Sequence, residues 1–224
     1  VPAQYRNRYD PDKQTLRPNA QPYVKNPLAR NLNCRRATAD YRAACTALDD
    51  QFGRIIAYLK ANNIYENTFV IFTSDHGEML GAHGMREKNV FYEESSHVPL
   101  IINMPNQIKQ NTTVNGYVSN VDLFATIMDY LKVGNYKSEG ESLRDLIEGK
   151  ATKHGEYIVT EWDYNGPITP NYMIVKAGWK LMVPYTEDSN VLNALYDLNK
   201  DPHEMNNLLG INPIKNNTNK KQKN

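Results

Sequence analysis

Cysteine is scarce in this chain: Cys34 and Cys45 stand eleven positions apart, with no CxxC pair and no Cys/His cluster near them. A disulfide framework is therefore not expected. Cys45 falls on the apolar side of an expected helix and reads as a small core residue, whereas Cys34 lies in a polar stretch and reads as a free thiol. Neither fixes a compartment. Long apolar runs are missing too: no stretch reaches the about 18 residues that a membrane-spanning helix needs, so no span is expected. Charge of one sign is also missing. Lys and Arg total 26 against 25 Asp and Glu, a formal net charge of +1. With no basic face interleaved with aromatics, this balance argues against a dedicated nucleic-acid binder. The first residues, VPAQYRNRYDPDKQ, lack a basic region followed by an apolar one, so no signal peptide is read there. That absence says little if the chain starts inside a larger protein. What remains is ordinary globular material, 40% hydrophobic and 23% charged over 224 residues, enough for one large domain or most of one.

Residues 1–37 are rich in Pro, Asn, Arg and Tyr without periodicity, and read as an extended segment that wraps a neighbour. Over residues 40–61, Tyr41, Ala44, Cys45, Leu48, Phe52, Ile55, Ile56 and Leu59 recur at the spacing of an amphipathic helix that ends at Asn62-Asn63. Asp49 and Asp50 lie within it and read as solvated or helix-packing charges. A strand over residues 68–73 follows, giving the helix-then-strand order of a doubly wound α/β sheet. Another buried strand is expected over 98–104, a helix over 116–131 ended by Gly134, and a short helix from Ser142 through Ile147 stopped at Gly149. From Glu156 the texture changes to short strand-like runs at 157–160, 172–176, 180–184 and 195–198. Turns at Gly178 and over 184–190 mark a small antiparallel sheet. A helical turn over 203–209 and a polar, disordered tail close the chain.

The stretch TFVIFTSDHGEMLGAHGMREKNVFYEESSHVPL, residues 68–100, holds the chemistry. Its apolar run at 69–72 is of the kind that fits a strand buried on both faces. The run stops at Thr73-Ser74-Asp75-His76-Gly77, which puts a carboxylate and an imidazole at the carboxyl end of a strand, where open α/β sheets place their ligand sites. Asp75 offers a hard anionic oxygen and His76 a nitrogen, donors suited to a divalent cation. Lys88, in the following loop, can meet an anionic substrate as a point charge. Cation plus oxyanion is the local chemistry.

At these residues the chain resembles the sulfatase branch of the alkaline phosphatase superfamily. The matching pieces are Ser74-Asp75-His76-Gly77, Leu80-Gly81 with His83-Gly84, Lys88 thirteen positions after Asp75, Tyr92-Glu93-Glu94, and His97-Val98-Pro99-Leu100. Tyr41, Ala43, Leu48, Asp49, Gly53 and Leu59 match a helical passage of the family, and Tyr196-Asp197-Leu198 with Asp201-Pro202, Glu204 and Asn207-Leu208 resembles its ending. The resemblance implies an alkaline-phosphatase-like α/β fold, of which residues 1–150 would be the second half of the catalytic domain. Residues 151–211 would be a small antiparallel subdomain with a terminal helix, and 212–224 a tail. It also implies Asp75 and His76 as ligands of a divalent cation, calcium rather than magnesium, and Lys88 as the catalytic lysine on the sulfate. His83 and His97 become candidates for substrate contact, and Trp162 and His154 flank a strand that could reach the mouth of the site. The HVPL string points to a sulfated sugar.

The family's nucleophile is a cysteine or serine in a C/S-x-P/A-x-R passage, converted to formylglycine. Cys34 is followed by Arg-Arg-Ala-Thr and Cys45 by Thr-Ala-Leu-Asp, and neither fits. The expected function is thus sulfuric ester hydrolysis with this chain supplying part of the site. The alternatives are phosphate or phosphonate ester hydrolysis within the same superfamily, or a sulfatase-like fragment without catalysis. A half sheet would expose an apolar edge, so the expected partners besides substrate are an amino-terminal half or a second copy. By resemblance the setting is periplasmic, secreted or lysosomal. Asn111-Thr112-Thr113 and Asn216-Asn217-Thr218 are glycosylation sequons that matter only in a eukaryotic secretory setting.

Overall fold

A computed structural model describes residues 1–20, 33–162, 171–184 and 193–210. The expected tail, most of the 184–190 turn, the second sequon and part of the amino-terminal segment lie outside these residues. The chain divides into two compact units: Val1–Glu66, His76–Val98 and Asp201–Asn224 form one, and Asn67–Asp75 with Pro99–Lys200 the other.

The first unit is built on one long helix. Helix α1, Ala3–Arg6, is a single turn, and α2 runs over Cys34–Ala61. It starts six residues before the periodic stripe because the Asn33 side chain caps it, accepting the Arg36 N–H. Arg36 then pairs with Asp40 one turn on, at 3.2 Å. The helix ends at Asn62, and Asn63 takes the left-handed conformation (φ 56°) that commonly follows a helix. Residues 1–20 lie along α2. Tyr9 Oη is 2.6 Å from Thr46 Oγ1, and Arg42 Nη1 donates to Gln14 Oε1 at 2.9 Å. Leu16, Ala20 and Cys34 close into a small apolar cluster. Cys34 is a free thiol as expected, though a buried one, whereas Cys45, expected in the core, is exposed. Cys45 does lie on the apolar stripe, but among the described residues that stripe faces solvent, with Leu48 at 56% and Ile55 at 57% exposure. Helix α3, Glu93–Ser96, follows the motif loop. Residues 201–210 form turns in place of the expected helical turn. There Asp201 accepts the N–H groups of Met205 and Asn206 at 3.0 and 2.7 Å, a local alternative to helix.

The second unit is mixed helix and antiparallel sheet. Strand β1, Val70–Thr73, pairs antiparallel with β2, Leu100–Asn103, in a register that sets Val70 opposite Asn103 and Thr73 opposite Leu100. Both are partly exposed rather than buried on two faces. An antiparallel pair is compatible with a doubly wound sheet, which often carries one. Helix α4 covers only Asp122–Tyr130. It starts late because the Asp122 carboxylate accepts the N–H of Ser119 at 2.9 Å and of Glu141 at 3.0 Å, which fixes the approach as a turn. Thr126 Oγ1 accepts the Leu143 N–H at 2.9 Å, docking α5, Arg144–Ile147, against α4. The carboxy-terminal strands form a meander, β3 (Tyr157–Trp162), β4 (Asn171–Lys176), β5 (Trp179–Val183) and β6 (Ala194–Asp197), in that spatial order. The β4–β5 turn, Ala177-Gly178, has φ of 50° and 79°, the primed geometry a tight hairpin requires. No helix among the described residues is long and apolar enough to cross a membrane.

Candidate functional site

Of the expected metal pair, Asp75 belongs to the second unit and His76 to the first, and each is described within its own unit. On the Asp75 side, Asn120 holds the turn that follows β1: its Nδ2 donates to the Ser74 carbonyl at 2.9 Å, and its Oδ1 lies 3.3 Å from Thr73 Oγ1. The Asp75 residue is exposed, with Ser74 Oγ 3.4 Å from its Oδ1. The carboxylate is thus exposed on a turn whose preceding peptide is pinned by an amide. Nothing at sequence level marked Asn120, 46 positions from the carbonyl it binds.

On the other side, the His76 ring is set by its own backbone: Nδ1 lies 2.8 Å from the Gly77 carbonyl. A carbonyl only accepts, so Nδ1 carries the proton and the lone pair sits on Nε2. Metal-ligating histidines characteristically have this arrangement, with the second nitrogen donating to a carbonyl or carboxylate. Gly77 is itself pinned, its N–H donating to the Ser95 carbonyl at 2.8 Å. A Cβ at Gly77 would stand 2.0 Å from the Glu94 carbonyl oxygen, so no other residue fits without displacing backbone.

Lys88 is exposed, between two residues of left-handed backbone, Glu87 (φ 64°) and Asn89 (φ 78°). Glu78 organises this loop. Its Oε1 accepts the N–H of Glu87 at 2.6 Å and of Leu80 at 3.3 Å, while the Met79 N–H donates to the Glu87 carbonyl at 2.9 Å. His97 is exposed and holds Glu93, Nδ1 to Oε2, at 2.8 Å. Its imidazole is thus at the surface, steadied one helical turn from a carboxylate.

His83 has a different setting. It is 3% exposed, its ring stacks on Tyr92 with centroids 3.8 Å apart, and it meets Glu94 and Glu204 in a buried group. Glu94 and Glu204 are 110 positions apart, so sequence reasoning registered each as a motif letter and missed the cluster. His154 also turns inward: its Nε2 lies 3.3 Å from Asp122 Oδ2, with both side chains 12% exposed.

Comparison with known proteins gives a consistent result. The sulfatase family model matches residues 1–133, and the model "N-sulphoglucosamine sulphohydrolase, C-terminal" matches residues 81–224. An N-acetylglucosamine-6-O-sulfatase of Bacteroides thetaiotaomicron is 33% identical over 178 residues, covering 76% of this chain and 32% of that protein. A solved structure of a protein in complex with its substrate D-glucosamine-2-N,6-O-disulfate superposes with a TM-score of 0.71 at 30% identity, covering 91% of this chain and 41% of that one. The phosphonate monoester hydrolase of Agrobacterium radiobacter superposes with a TM-score of 0.76 at 25% identity, covering 93% and 49%. The chain spans roughly a third to two fifths of the length of the curated relatives it matches.

Proposed function

The chain belongs to the sulfatase family, and on that premise we propose that it supplies the cation-binding and sulfate-contacting side of an enzyme that hydrolyses a sulfate ester on a sugar. Asp75 and His76 hold the divalent cation, calcium in our proposal, since an exposed carboxylate on a turn suits a large ion of flexible coordination. The contact between His76 Nδ1 and the Gly77 carbonyl, at 2.8 Å, carries this most directly, because it fixes both the ring and the nitrogen that bears the lone pair. When bound, the cation supplies charge neutralisation to the sulfate oxygens. Lys88, at the tip of the loop that Glu78 clamps, binds a sulfate oxygen and offsets the negative charge that gathers as the sugar alcohol leaves. His97, exposed beside Glu93, contacts the sugar. His83 is too deeply enclosed for that part in the described structure.

Family membership also implies a formylglycine nucleophile. The residues of this chain do not fit it: Cys34 is packed into the start of α2 and Cys45 lies mid-helix, and neither has the required neighbours. The names of the relatives make glucosamine sulfates the first substrates to try. The likeness to a phosphonate monoester hydrolase makes phosphonate esters the second reading.

The test is hydrolysis of an aryl sulfate, an aryl phosphonate and glucosamine 6-sulfate by the purified full-length protein, with and without a chelator. Sulfate turnover abolished by chelation and restored by calcium is expected, with Asp75→Ala, His76→Ala and Lys88→Ala each reducing kcat/KM by about 10²–10³-fold, the scale of losing one transition-state charge contact. Faster turnover of the phosphonate than of the sulfate overturns the sulfatase reading in favour of the second.

A further inference from the structure

His83, Glu94 and Glu204 are 3%, 5% and 0% exposed, and one ligand atom from each lies within 4.8 Å of the others. We propose that they form a buried site for a transition-metal dication of the zinc or manganese class, built from different residues than the Asp75-His76 pair. Two carboxylates buried side by side repel unless positive charge lies between them. The surroundings hold each of the three side chains in place. Glu94 Oε1 is taken by Arg17 Nη1 and by Asn19 Nδ2, both at 2.9 Å, while its buried Oε2 has no hydrogen-bond partner among the described residues. Glu204 Oε2 accepts the Glu93 N–H at 2.7 Å, which orients that carboxylate. The His83 ring is fixed by its stack on Tyr92 and carried by left-handed backbone (φ 52°), a conformation non-glycine residues rarely adopt.

Asn19 provides a second, independent pointer. It is fully buried, its Nδ2 lies 3.2 Å from His83 Nε2 and 2.9 Å from Glu94 Oε1, and its Oδ1 is without a partner among the described residues. Turned over about its side-chain amide bond, Asn19 would present that oxygen to the cluster as a fourth donor. One nitrogen and two or three oxygens is a borderline set that suits zinc or manganese better than calcium, which prefers six or more oxygens. With bonds of about 2.1 Å, a tetrahedral ion spaces its ligands about 3.4 Å apart, a contraction that small side-chain rotations supply. The ion would tie residues 17–19, the motif loop and the 201–210 turns together, contributing folding stability rather than chemistry.

Metal analysis of the purified full chain tests this without reference to activity. In an Asp75→Ala/His76→Ala variant, which removes the other proposed ligands, about one equivalent of zinc or manganese should survive dialysis, and Glu94→Gln in that background should lower it at least tenfold. Adding ZnCl2 to metal-stripped wild type at a hundredfold excess over Kd should raise Tm by about 5–10 °C. Retention unaffected by Glu94→Gln, or neither retained metal nor a Tm rise with ZnCl2 or MnCl2, overturns the site. Should Glu94→Gln fail to fold, zinc-edge anomalous diffraction from wild-type crystals decides. A peak among His83, Glu94 and Glu204 supports the site, and none after a zinc soak overturns it.

Discussion

A methyl group at Gly77 would stand 2.0 Å from one backbone carbonyl oxygen, that of Glu94, and 3.0 Å from the carbon bearing it. The peptide that holds the His76 ring is thus pressed against the first turn of α3. Gly77→Ala should force the two segments apart and cost about 1–3 kcal/mol, as overpacking generally does, read as a fall of several degrees in Tm. Activity should fall further than stability alone accounts for, because the carbonyl that orients His76 moves too. The two thiols give a second expectation. Burial raises the pKa of both, keeping both as thiols at neutral pH, so access decides their reactivity. Iodoacetamide at pH 7.5 should label the exposed Cys45 first and Cys34 at least tenfold more slowly, as mass spectrometry of timed samples will show. Asp75 and His76 could be proposed from the sequence because a buried-type run that ends in a carboxylate and an imidazole is a local signal. The burial of His83 was not, since it depends on Asn19 and Glu204, each remote from it in the chain.

Helices α4 and α5 are held by a charged chain in which Arg144 reaches Asp129 at 3.0 Å and Glu148 at 2.8 Å, with Lys150 also on Glu148. Lys150 first, and Arg144 after it, hold the Glu148 carboxyl below the usual glutamate range. A depressed carboxyl contributes stability that is present above its unfolded pKa and lost as pH falls through the folded one. Glu148→Gln should therefore lower Tm at pH 7. The gap to wild type should begin to shrink as pH falls below about 4.3, the unfolded-state value, and close as pH falls through the lower folded-state one. These pairs are partly solvated, so the effect is modest, and 0.5 M NaCl should shrink it. The strands of the meander were legible to within a residue or two, because alternation and turn residues are properties of adjacent positions. The start of α4 was not: the apolar pattern continues upstream through Tyr117 and Val118, while the backbone follows the two N–H groups that Asp122 captures. The antiparallel pairing of β1 with β2 was equally hidden, since composition says that a strand is apolar but not which way its neighbour runs.

For the chain as a whole, the solvent-facing stripe of α2 governs behaviour in solution. Tyr41, Leu48, Ile55 and Tyr58 are 43%, 56%, 57% and 65% exposed along one 28-residue helix, an apolar surface longer than isolated exposed side chains explain. Such a stripe lowers its free energy by meeting another apolar surface, at roughly 25 cal/mol per Å² removed from water. Periodicity marked Tyr41, Leu48 and Ile55 as part of a core face, and in the described structure the buried residues of α2 are smaller ones, Cys34, Ala39 and Ala43. Leu48→Lys with Ile55→Lys should suppress concentration-dependent association of the chain in sedimentation velocity. Tm should stay within a degree or two, because substitution at exposed helical positions costs little. Loss of the folded state in the double variant, or a fall in Tm of many degrees, would mean that this face is interior to the folded protein. Its apolar residues would then belong to the stability of the fold rather than to its solubility.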